Sequence, residues 1–489
     1  MNKDDIKQLL IRGERITLEC KEAQKAIPKS VWESYSAFAN TIGGSILLGV
    51  KEDQIESDPV KRFSISGVED SRKMIKEFWD TINSNKVNAN ILMESDVEVI
   101  SVDDKEIICI TVPQADWRVK PVYLNENVYK GTYKRNHEGD YHCTESEIKA
   151  MIRDANEDGN DGALLEGYTM DDVDLNTLNG YRVQFRTLNA DHVWNDVDNK
   201  TFLKNLAGYT IDRTTGREGL TVAGLLMFGK GLSVSERFAN FRMDYLDMTH
   251  LVGEERYSDR LTYDGRWENN LYQFFRIVMP KLTFDLPRPF KMEGMQRQDD
   301  TLQHKAVREA FTNAIIHSDV FVSGGVLRIE KREDCLVLRN PGILKLPIAK
   351  IFEGGNSKAR NPRIQNMLRM VGYGENIGSG FPKILSAWQK AGWKEPLLEN
   401  KIDIQEVKLT MFVPQTNVHD NVHDNVHDEL TERQQKILDL IKADDSISLT
   451  QMSTKIGVSK RTIQRDIALM NTLVKRVGGE KNGHWQIVY

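Results

Sequence analysis

Two glutamates and a lysine near the start of the chain carry chemistry suited to a phosphodiester. Glu14, Glu19 and Lys21 lie in GERITLECKE, and two more carboxylates, Glu52 and Asp53, follow the apolar run SILLGV. Acidic groups beside a basic one can bind a divalent metal, which polarises a phosphate or activates water. The alternative is a surface strand on which Glu19 and Lys21 form an ordinary ion pair.

The segments around these residues have the patterns of a strand, a helix and a second strand. Apolar and polar residues alternate in RITLECKE, which predicts a strand with Glu19 and Lys21 on one face. Apolar residues recur at helical spacing in IPKSVWESYSAFANT, and Gly43-Gly44 allows a tight turn into SILLGV. Pairing of the two strands would bring the acidic groups together.

This region resembles the Schlafen-AlbA domain over about the first 150 residues. The resemblance rests on the spacing of Glu14, Glu19 and Lys21 and on SAFANTIGGSILLGV. It implies a nucleic-acid-binding module. In Schlafen RNases, which cleave tRNA and rRNA, the matching glutamates and an aspartate form a metal-dependent site. The resemblance therefore makes Glu14 and Glu19 catalytic ligands of Mg²⁺ or Mn²⁺. The third ligand falls on Glu52, where the family has aspartate, with Asp53 adjacent.

A second nucleic-acid surface is predicted in VYKGTYKRNHEGDYH. Lys130, Lys134 and Arg135 are interleaved there with three tyrosines. Bases for phosphates and rings for stacking suit RNA or a single strand. The alternative is a hairpin around His-Glu-Gly with ordinary surface charge.

A polar stripe farther along the chain predicts a nucleotide site. Glu309, Asn313 and His317 are spaced by four residues and so share one helix face, where an acid and an amide can orient water and hold Mg²⁺ on a nucleotide. Gly378 and Gly380 precede another predicted helix, whose backbone N–H groups can meet a phosphate.

Residues of about 300–415 resemble the GHKL ATPase-like domain at the C-terminus of proteins commonly called RecG-related. The resemblance rests on REAFTNAIIH, NPG, NSKARNPRI and GSGF in that order. It implies ATP as the ligand and makes Asn313 a magnesium ligand. Asn340, followed by Gly342, stands where the family has an adenine-binding aspartate. Lys358, Arg360 and Arg363 are candidate phosphate contacts or a solvated basic loop, and the absence of a Walker A motif excludes a helicase core.

The C-terminal segment has a helix-turn-helix pattern and resembles the winged helix of bacterial transcription regulators. Seven basic residues stand against two acidic ones in residues 446–489, although the whole chain has a net charge of −6. Such a basic module favours DNA contact over protein contact. The predicted DNA-binding residues are Lys460, Arg461, Thr462, Gln464 and Arg465 on the second helix and Lys481 and His484 on the wing.

With 489 residues, the chain is too long for one core. We predict a multidomain α+β protein with a Schlafen-AlbA α/β module at 1–155, a linking domain at 165–295, a GHKL-like α/β sandwich at 296–415 and a winged helix at 430–489. The NVHD repeats in 416–429 are read as a linker; their alternative is a metal site of His419, His423 and His427. No apolar run spans a bilayer and no signal peptide is visible, so we expect a cytoplasmic protein.

These features together predict a nucleic-acid-binding protein, namely a nucleotide-gated transcriptional regulator or a stress or phage-defence factor. Symmetric DNA sites would favour a homo-oligomer. The alternative is a metal-dependent endoribonuclease of Schlafen type that cleaves tRNA or other RNA. A third class, an assembly scaffold, would bind no ligand at either site.

Overall fold

The computed structural model describes residues 3–53, 55–56, 58, 61–287, 292–293, 296–297, 300–355, 358–374, 380–414, 432–469, 474–477 and 484–487. The chain divides into two compact units, Met1–Pro414 and Gln415–Tyr489. The predicted linker at 416–429, with its three histidines, lies outside the described residues.

The N-terminal part of the first unit is a four-stranded sheet with helices. Its order is β1-β2-β6-β5, with β1 parallel to β2 and the other pairs antiparallel. The elements are α1 (Lys3–Arg12), β1 (Leu18–Lys21), α2 (Ser30–Asn40), β2 (Gly44–Leu48), β3 (Val50–Glu52), β4 (Phe63–Ile65), α3 (Ser71–Ile82), β5 (Val97–Val102), β6 (Lys105–Val112), α4 (Val128–Gly131), β7 (Tyr133–Asn136), β8 (Gly139–His142) and α5 (Glu145–Asp154).

Both faces of this sheet are covered, because alternate residues of β2 enter different cores. Ile46 and Leu48 pack with α2 and α3, whereas Leu47 packs with α1 and β1. The predicted turn before β2 is present: Gly43 has a φ of +80°, and a Cβ at Gly44 would lie 2.5 Å from the Phe38 ring. The sheet therefore fixes β1, which carries Glu19 and Lys21, beside the start of β3.

Helix α5 begins at a capping box. The Thr144 side chain accepts a hydrogen bond from the Glu147 N–H, and the Glu147 carboxylate accepts one from the Thr144 N–H at 2.7 Å. The helix ends at Asp154, against the remainder of the first unit. The start of α5 therefore belongs to the N-terminal part, and its end contacts the rest of the first unit.

The rest of the first unit is built on a six-stranded sheet of order β12-β11-β15-β16-β18-β17. The elements before residue 300 are α6 (Leu175–Leu188), α7 (Asn199–Asn205), β9 (Tyr209–Ile211), β10 (Glu218–Leu220), α8 (Val222–Phe228), α9 (Gly231–Arg237), β11 (Arg242–Asp247), β12 (Asp259–Leu261), α10 (Leu271–Thr283), β13 (Met292–Glu293) and β14 (Gln296–Arg297). Those after it are α11 (Leu302–Ile316), β15 (Val326–Lys331), β16 (Cys335–Pro341), α12 (Ile348–Glu353), α13 (Pro362–Met370), α14 (Gly380–Lys390), β17 (Leu397–Lys401) and β18 (Glu406–Phe412).

This sheet crosses the boundary that the sequence predicted at residue 295. Strand β11 of the predicted linking domain pairs in parallel with β15, and one hydrophobic core runs from Leu165 to Met411. Helix α11 packs in this core against α10, α13, α14 and β16. The linking domain and the GHKL-like domain therefore share a sheet and a core, a long-range pairing that local patterns do not reveal.

The described residues of the second unit form three helices and a two-stranded hairpin: α15 (Glu432–Ala443), α16 (Leu449–Ile456), α17 (Lys460–Leu469), β19 (Val474–Val477) and β20 (His484–Ile487). Ser448 and Gln451 form a capping box at the start of α16, and Gly457 ends it in the left-handed conformation. Ile437, Met452 and Trp485 belong to its core. The mixture of helices and strands in both units confirms the predicted α+β class.

Among the described residues, no helix has both the length and the apolar character to cross a membrane. All four cysteines are free and buried.

Candidate functional site

The predicted N-terminal site contains a buried ion-pair network around Glu19. This residue is 6% exposed, and its carboxylate contacts Lys21 Nζ through Oε1. Arg135 Nη1 lies 2.6 Å from Glu19 Oε2 and 2.9 Å from Asp140 Oδ1. Glu19 therefore faces two cations, one beside it on β1 and one from the β7–β8 hairpin.

Glu14 lies next to this network with a strongly raised pKa. Its Oε1 accepts a hydrogen bond from the Cys20 N–H at 2.7 Å. Burial, followed by the negative charges of Glu19 and Glu52, raises the pKa of Glu14 to about 7, against the lowering effects of that hydrogen bond and of Lys21. The three glutamates are thus close enough to repel one another, and Glu14 can exchange a proton near neutral pH.

Glu52, rather than Asp53, faces the other two glutamates. Arg62 contacts Glu52 Oε1 through Nε at 2.8 Å and Nη2 at 2.6 Å. Asp53 turns away and accepts a hydrogen bond from the Ile55 N–H at 3.0 Å. Of these two residues, Glu52 is therefore the one that lies beside Glu14.

The acidic residues do not form a ready metal cage. Within the described ranges, no group of three or more His, Cys, Asp or Glu side chains is arranged to hold a metal ion. Two of the predicted ligands, Glu19 and Glu52, are committed to Arg135 and Arg62. A metal ion would therefore have to displace these guanidinium groups before it could contact Glu19 or Glu52.

The hairpin that the sequence offered as a nucleic-acid surface is mainly a structural element. Arg135 has a fully buried side chain above the Phe38 ring, and Lys134 Nζ lies 2.6 Å from Glu147 Oε1. Lys130 is exposed, as is Tyr141. Arg135 and Asp140 are register partners on β7 and β8, so the hairpin pattern itself could have signalled their pairing.

Five predicted nucleotide-binding residues line one cleft of about 1180 Å³, measured out to its open mouth. Glu309 and Asn313 enter from α11, His317 from the residue that caps its C-terminus, Asn340 from β16 and Gly380 from the start of α14. Asn313 Nδ2 donates a hydrogen bond to Glu309 Oε1 at 3.2 Å. A Cβ at Gly380 would lie 2.1 Å from Glu309 Oε1, so any side chain at this position would displace the Glu309 carboxylate. The helical stripe and the strand end therefore converge as the sequence predicts.

The interior of the cleft combines apolar walls with one unpaired amide. Asn340 is 5% exposed, and its buried Nδ2 has no hydrogen-bond partner among the described residues. Burial, aided by Arg360 and Lys345, lowers the pKa of His317 to about 4, so its imidazole is neutral. Apolar side chains with one polar group suit a planar base. The apolar walls of this cleft include Leu338, Ile343, Leu398 and Leu409.

Two predicted phosphate contacts are occupied elsewhere. Arg360 is 4% exposed and holds both Asp154 oxygens at 2.7 Å. Arg363 Nη1 lies 3.3 Å from Asp161 Oδ1, and the Arg363 N–H donates to Asp161 Oδ2 at 2.7 Å. Both arginines therefore tie the ATPase-like part to the chain that precedes it.

Gly342 lies beside this cleft with a φ of +104°, against Arg360, whereas Gly378 lies outside the described residues. The cleft also has two lysines that the sequence analysis missed, Lys345 and Lys383. Lys345 follows Asn340-Pro341-Gly342 in a segment without periodicity, so only its nearness to that motif could have marked it.

The second unit presents basic and polar side chains on α17. Lys460, Gln464 and Arg465 are exposed, and the Thr462 N–H donates to Ser459 Oγ at 3.2 Å at the start of the helix. Asp466 is buried and paired with Arg433, whose Nε lies 2.6 Å from Asp466 Oδ2. The acid of this helix is thus neutralised inside the fold, away from the exposed bases.

The hairpin after α17 completes the winged-helix arrangement. Lys475 and Arg476 are exposed on β19, and His484 is exposed on β20. Arg476 lies 5.1 Å from the centre of the Trp485 ring. The Arg461 side chain and the predicted wing residue Lys481 lie outside the described residues.

Four family models match parts of this chain. "Schlafen, AlbA_2" matches residues 14–144, "Putative ATP-dependent DNA helicase recG C-terminal" residues 324–411 and "HTH domain" residues 433–485. These three matches confirm the predicted order of a Schlafen-AlbA region, a RecG-related ATPase-like region and a helix-turn-helix region. The fourth model, a domain of unknown function (DUF8451), matches residues 149–244, from within α5 into β11. The Schlafen and HTH matches support nucleic-acid binding, and the ATPase-like match points to a nucleotide.

Two solved structures resemble the chain only distantly. The DIP2311 protein from Corynebacterium diphtheriae is 14% identical, with 98% of this chain and 82% of that chain covered and a TM-score of 0.39. The N-terminal domain of a putative ATP-dependent DNA helicase RecG-related protein from Nitrosomonas europaea is 26% identical over 29% of this chain and 94% of that chain, with a TM-score of 0.23. Both TM-scores lie below 0.5, so neither establishes a shared fold. No curated protein matches the chain.

Proposed function

We propose that the protein binds nucleic acid under the control of a nucleotide, as a transcriptional regulator or a stress or phage-defence factor. The winged helix contacts duplex DNA through Lys460, Thr462, Gln464 and Arg465, with Arg461 and Lys481 as further contacts. Lys130 extends the nucleic-acid surface on the N-terminal module. The ATPase-like cleft holds Mg²⁺·ATP, with Asn340 at the base and Asn313 at the metal.

One observation supports this proposal above the others: the predicted nucleotide residues meet in one cleft whose wall is joined to the N-terminal module. Glu309 and Asn313 lie directly against Gly380 in this cleft, and the Asn340 Nδ2 that lines it has no hydrogen-bond partner among the described residues. Arg360 lines the same cleft and holds Asp154 at the end of α5. A ligand that changes the cleft therefore acts on a residue that also contacts the Schlafen-like part.

The test measures nucleic-acid binding of the full chain with sheared genomic DNA and total RNA, with and without Mg²⁺·ATP. We expect ATP to change the affinity by about 5-fold or more, the range of ordinary coupling between sites. Asn313→Ala should remove the ATP effect and leave binding without ATP unchanged. Arg465→Ala should weaken DNA binding with or without ATP. If the nucleic-acid affinity of the wild type is the same with and without ATP, control by the nucleotide is refuted. Sedimentation of the free and DNA-bound chain tests the proposed homo-oligomer.

A metal-dependent ribonuclease of Schlafen type is the second candidate. It is supported by the pKa of Glu14, which burial and its acidic neighbours raise to about 7, a value suited to proton transfer. The assay incubates total RNA and DNA with Mg²⁺ or Mn²⁺ and compares the wild type with Glu19→Ala and Glu14→Gln. Glu22→Gln, an exposed change on the same segment, is the control. Cleavage lost in both site variants and kept in the control would support the ribonuclease, and cleavage retained in Glu14→Gln would refute this role for Glu14.

A further inference from the structure

The nucleotide cleft has a strong excess of positive charge. Glu309 is the one acid among its described lining residues, against the four cations Lys345, Lys358, Arg360 and Lys383. Such a set suits a ligand with several negative charges, as in the phosphate chain of a nucleotide. Arg360 is committed to Asp154, so the lysines are the better candidates for phosphate contact.

Two of these lysines rest on an aromatic ring of the N-terminal module. Trp117 lies between β6 and α4 and is 7% exposed. The ammonium group of Lys345 is 4.4 Å from the centre of its ring, and that of Lys358 is 5.1 Å away. Both distances fall within the range of a cation–π interaction. The ring thus gives two like charges a common partner beside the cleft.

Asp154, also of the N-terminal module, fixes the same group of cations from another side. Its backbone carbonyl accepts a hydrogen bond from Lys345 Nζ at 3.0 Å. Its carboxylate holds the Arg360 guanidinium through two bonds of 2.7 Å, and Arg360 Nη2 donates to the Ile343 carbonyl at 2.9 Å. The chain segment 343–345 is thereby held at both ends.

We propose that the N-terminal module completes the nucleotide site: Lys345 and Lys358 bind the phosphates of a nucleoside triphosphate, and Trp117 and Asp154 position them. This proposal rests on the proposed nucleotide binding and adds the residues that link it to the Schlafen-like part. Trp117 and Asp154 are positioning residues, because they contact the lysines and not the ligand. A phosphate that draws Lys345 into the cleft must lengthen the hydrogen bond from Lys345 Nζ to the Asp154 carbonyl. Nucleotide binding thereby weakens a contact at the end of α5.

The charge of Lys345 gives the proposal a pH signature. Its ammonium faces Asp154 and Asp319 as acids, Arg360 and Lys358 as cations, and the neutral His317 ring. Burial, assisted by the two cations and opposed by the two acids, lowers the pKa of Lys345 to about 8. The protonated lysine binds phosphate, so ATP affinity should fall as pH rises from 7.5 to 9, by about 5- to 10-fold. A guanidinium at this position stays charged and should show no such fall.

The experiment is calorimetric titration of the full chain with Mg²⁺·ATP at pH 7.5 and pH 9. Trp117→Leu should weaken binding at pH 7.5 by about 3- to 10-fold, since the ring no longer holds either lysine. Trp117→Phe, which keeps a ring, should recover most of the affinity. Lys345→Arg should bind ATP at both pH values with similar affinity. Lys350→Ala is the control, because this exposed lysine pairs with Glu353 outside the cleft.

The outcomes separate this inference from the proposed function. Failure of the wild type to bind ATP would overturn nucleotide binding and this inference with it. Normal ATP binding by Trp117→Leu, with the wild-type pH dependence also present in Lys345→Arg, would overturn the inference alone. Thermal unfolding of each variant shows whether it folds. If Trp117→Leu does not, the pH dependence of Lys345→Arg and the affinity of Trp117→Phe decide the matter.

Discussion

The ion pair between Asp154 and Arg360 makes a quantitative prediction about the junction within the first unit. Asp154→Asn keeps the size of the side chain but removes the carboxylate that pairs with the buried Arg360 guanidinium. Breaking one partner of a buried pair costs about 3–5 kcal/mol. Arg360 keeps its hydrogen bonds to the carbonyls of His317 and Ile343, so the cost should be near the lower limit, about 3 kcal/mol.

Hydrogen exchange of the amides in α5 measures this cost directly. A loss of about 3 kcal/mol makes opening roughly 100-fold more frequent, and exchange of residues 145–154 should accelerate by up to that factor. The control is Glu157→Gln, three residues beyond, where the carboxylate is 61% exposed and 3.8 Å from Arg118. We expect less than 0.5 kcal/mol from this change.

The pH dependence of the same difference has a definite sign. Burial raises the pKa of Asp154, but the charge and hydrogen bonds of Arg360 outweigh burial and hold it below its usual value. Its stabilising effect is therefore complete above the pKa of the unfolded chain and is lost as pH falls through the lower folded value. The gap between wild type and Asp154→Asn should be full at pH 7 and shrink below about pH 4. Equal exchange in α5 of both proteins at pH 7 would refute the reasoning.

Three further predictions concern the individual sites. Glu14→Gln should stabilise the fold at pH 8 by about 1 kcal/mol and have no effect at pH 4. Because the pKa of Glu14 is raised to about 7 in the folded chain, ionising this residue costs stability above its unfolded pKa. Thermal unfolding at the two pH values measures the difference, and equal melting temperatures of variant and wild type at pH 8 would contradict it. Arg465→Ala should reduce the slope of log affinity against log salt by about one for duplex DNA. Lys442→Ala on α15 is the control and should leave the slope unchanged. An unaltered slope in Arg465→Ala would show that Arg465 does not contact the DNA backbone. Asn340→Leu should weaken ATP binding by about tenfold or more in calorimetry, because it removes the buried amide without emptying the cleft; retained affinity would exclude contact with the base.

Local patterns predicted the elements that carry the sites, because each such pattern has a direct structural cause. Four-residue spacing put Glu309 and Asn313 on one face of α11, and the Thr144–Glu147 capping box at the start of α5 is equally local in the sequence. The glycine and serine positions of the second unit likewise fixed the turn between α16 and α17. These features depend on residues close together in the chain.

Contacts between distant segments could not be predicted in this way. Arg360 and Asp154 are 206 positions apart, and neither segment carries a pattern that names the other. Arg135 lies in a basic, tyrosine-rich run that resembles a binding surface, yet it neutralises Glu19 on β1. The pairing of β11 with β15 is also invisible to periodicity, since each strand is only six residues long. The ion pairs of Arg135 and Arg360 and the pairing of β11 with β15 all depend on packing between segments that are distant in the sequence.

The most direct test of the account is reciprocal linkage between nucleotide and nucleic acid. The dissociation constant of Mg²⁺·ATP is measured on the full chain with and without saturating DNA, and that of DNA with and without saturating Mg²⁺·ATP. Linkage requires both ratios to be equal, and gating requires them to differ from one by about 5-fold or more. The account predicts equal ratios of that size in the wild type and ratios near one in Asn313→Ala. Tight binding of both ligands with ratios of one in the wild type would contradict it.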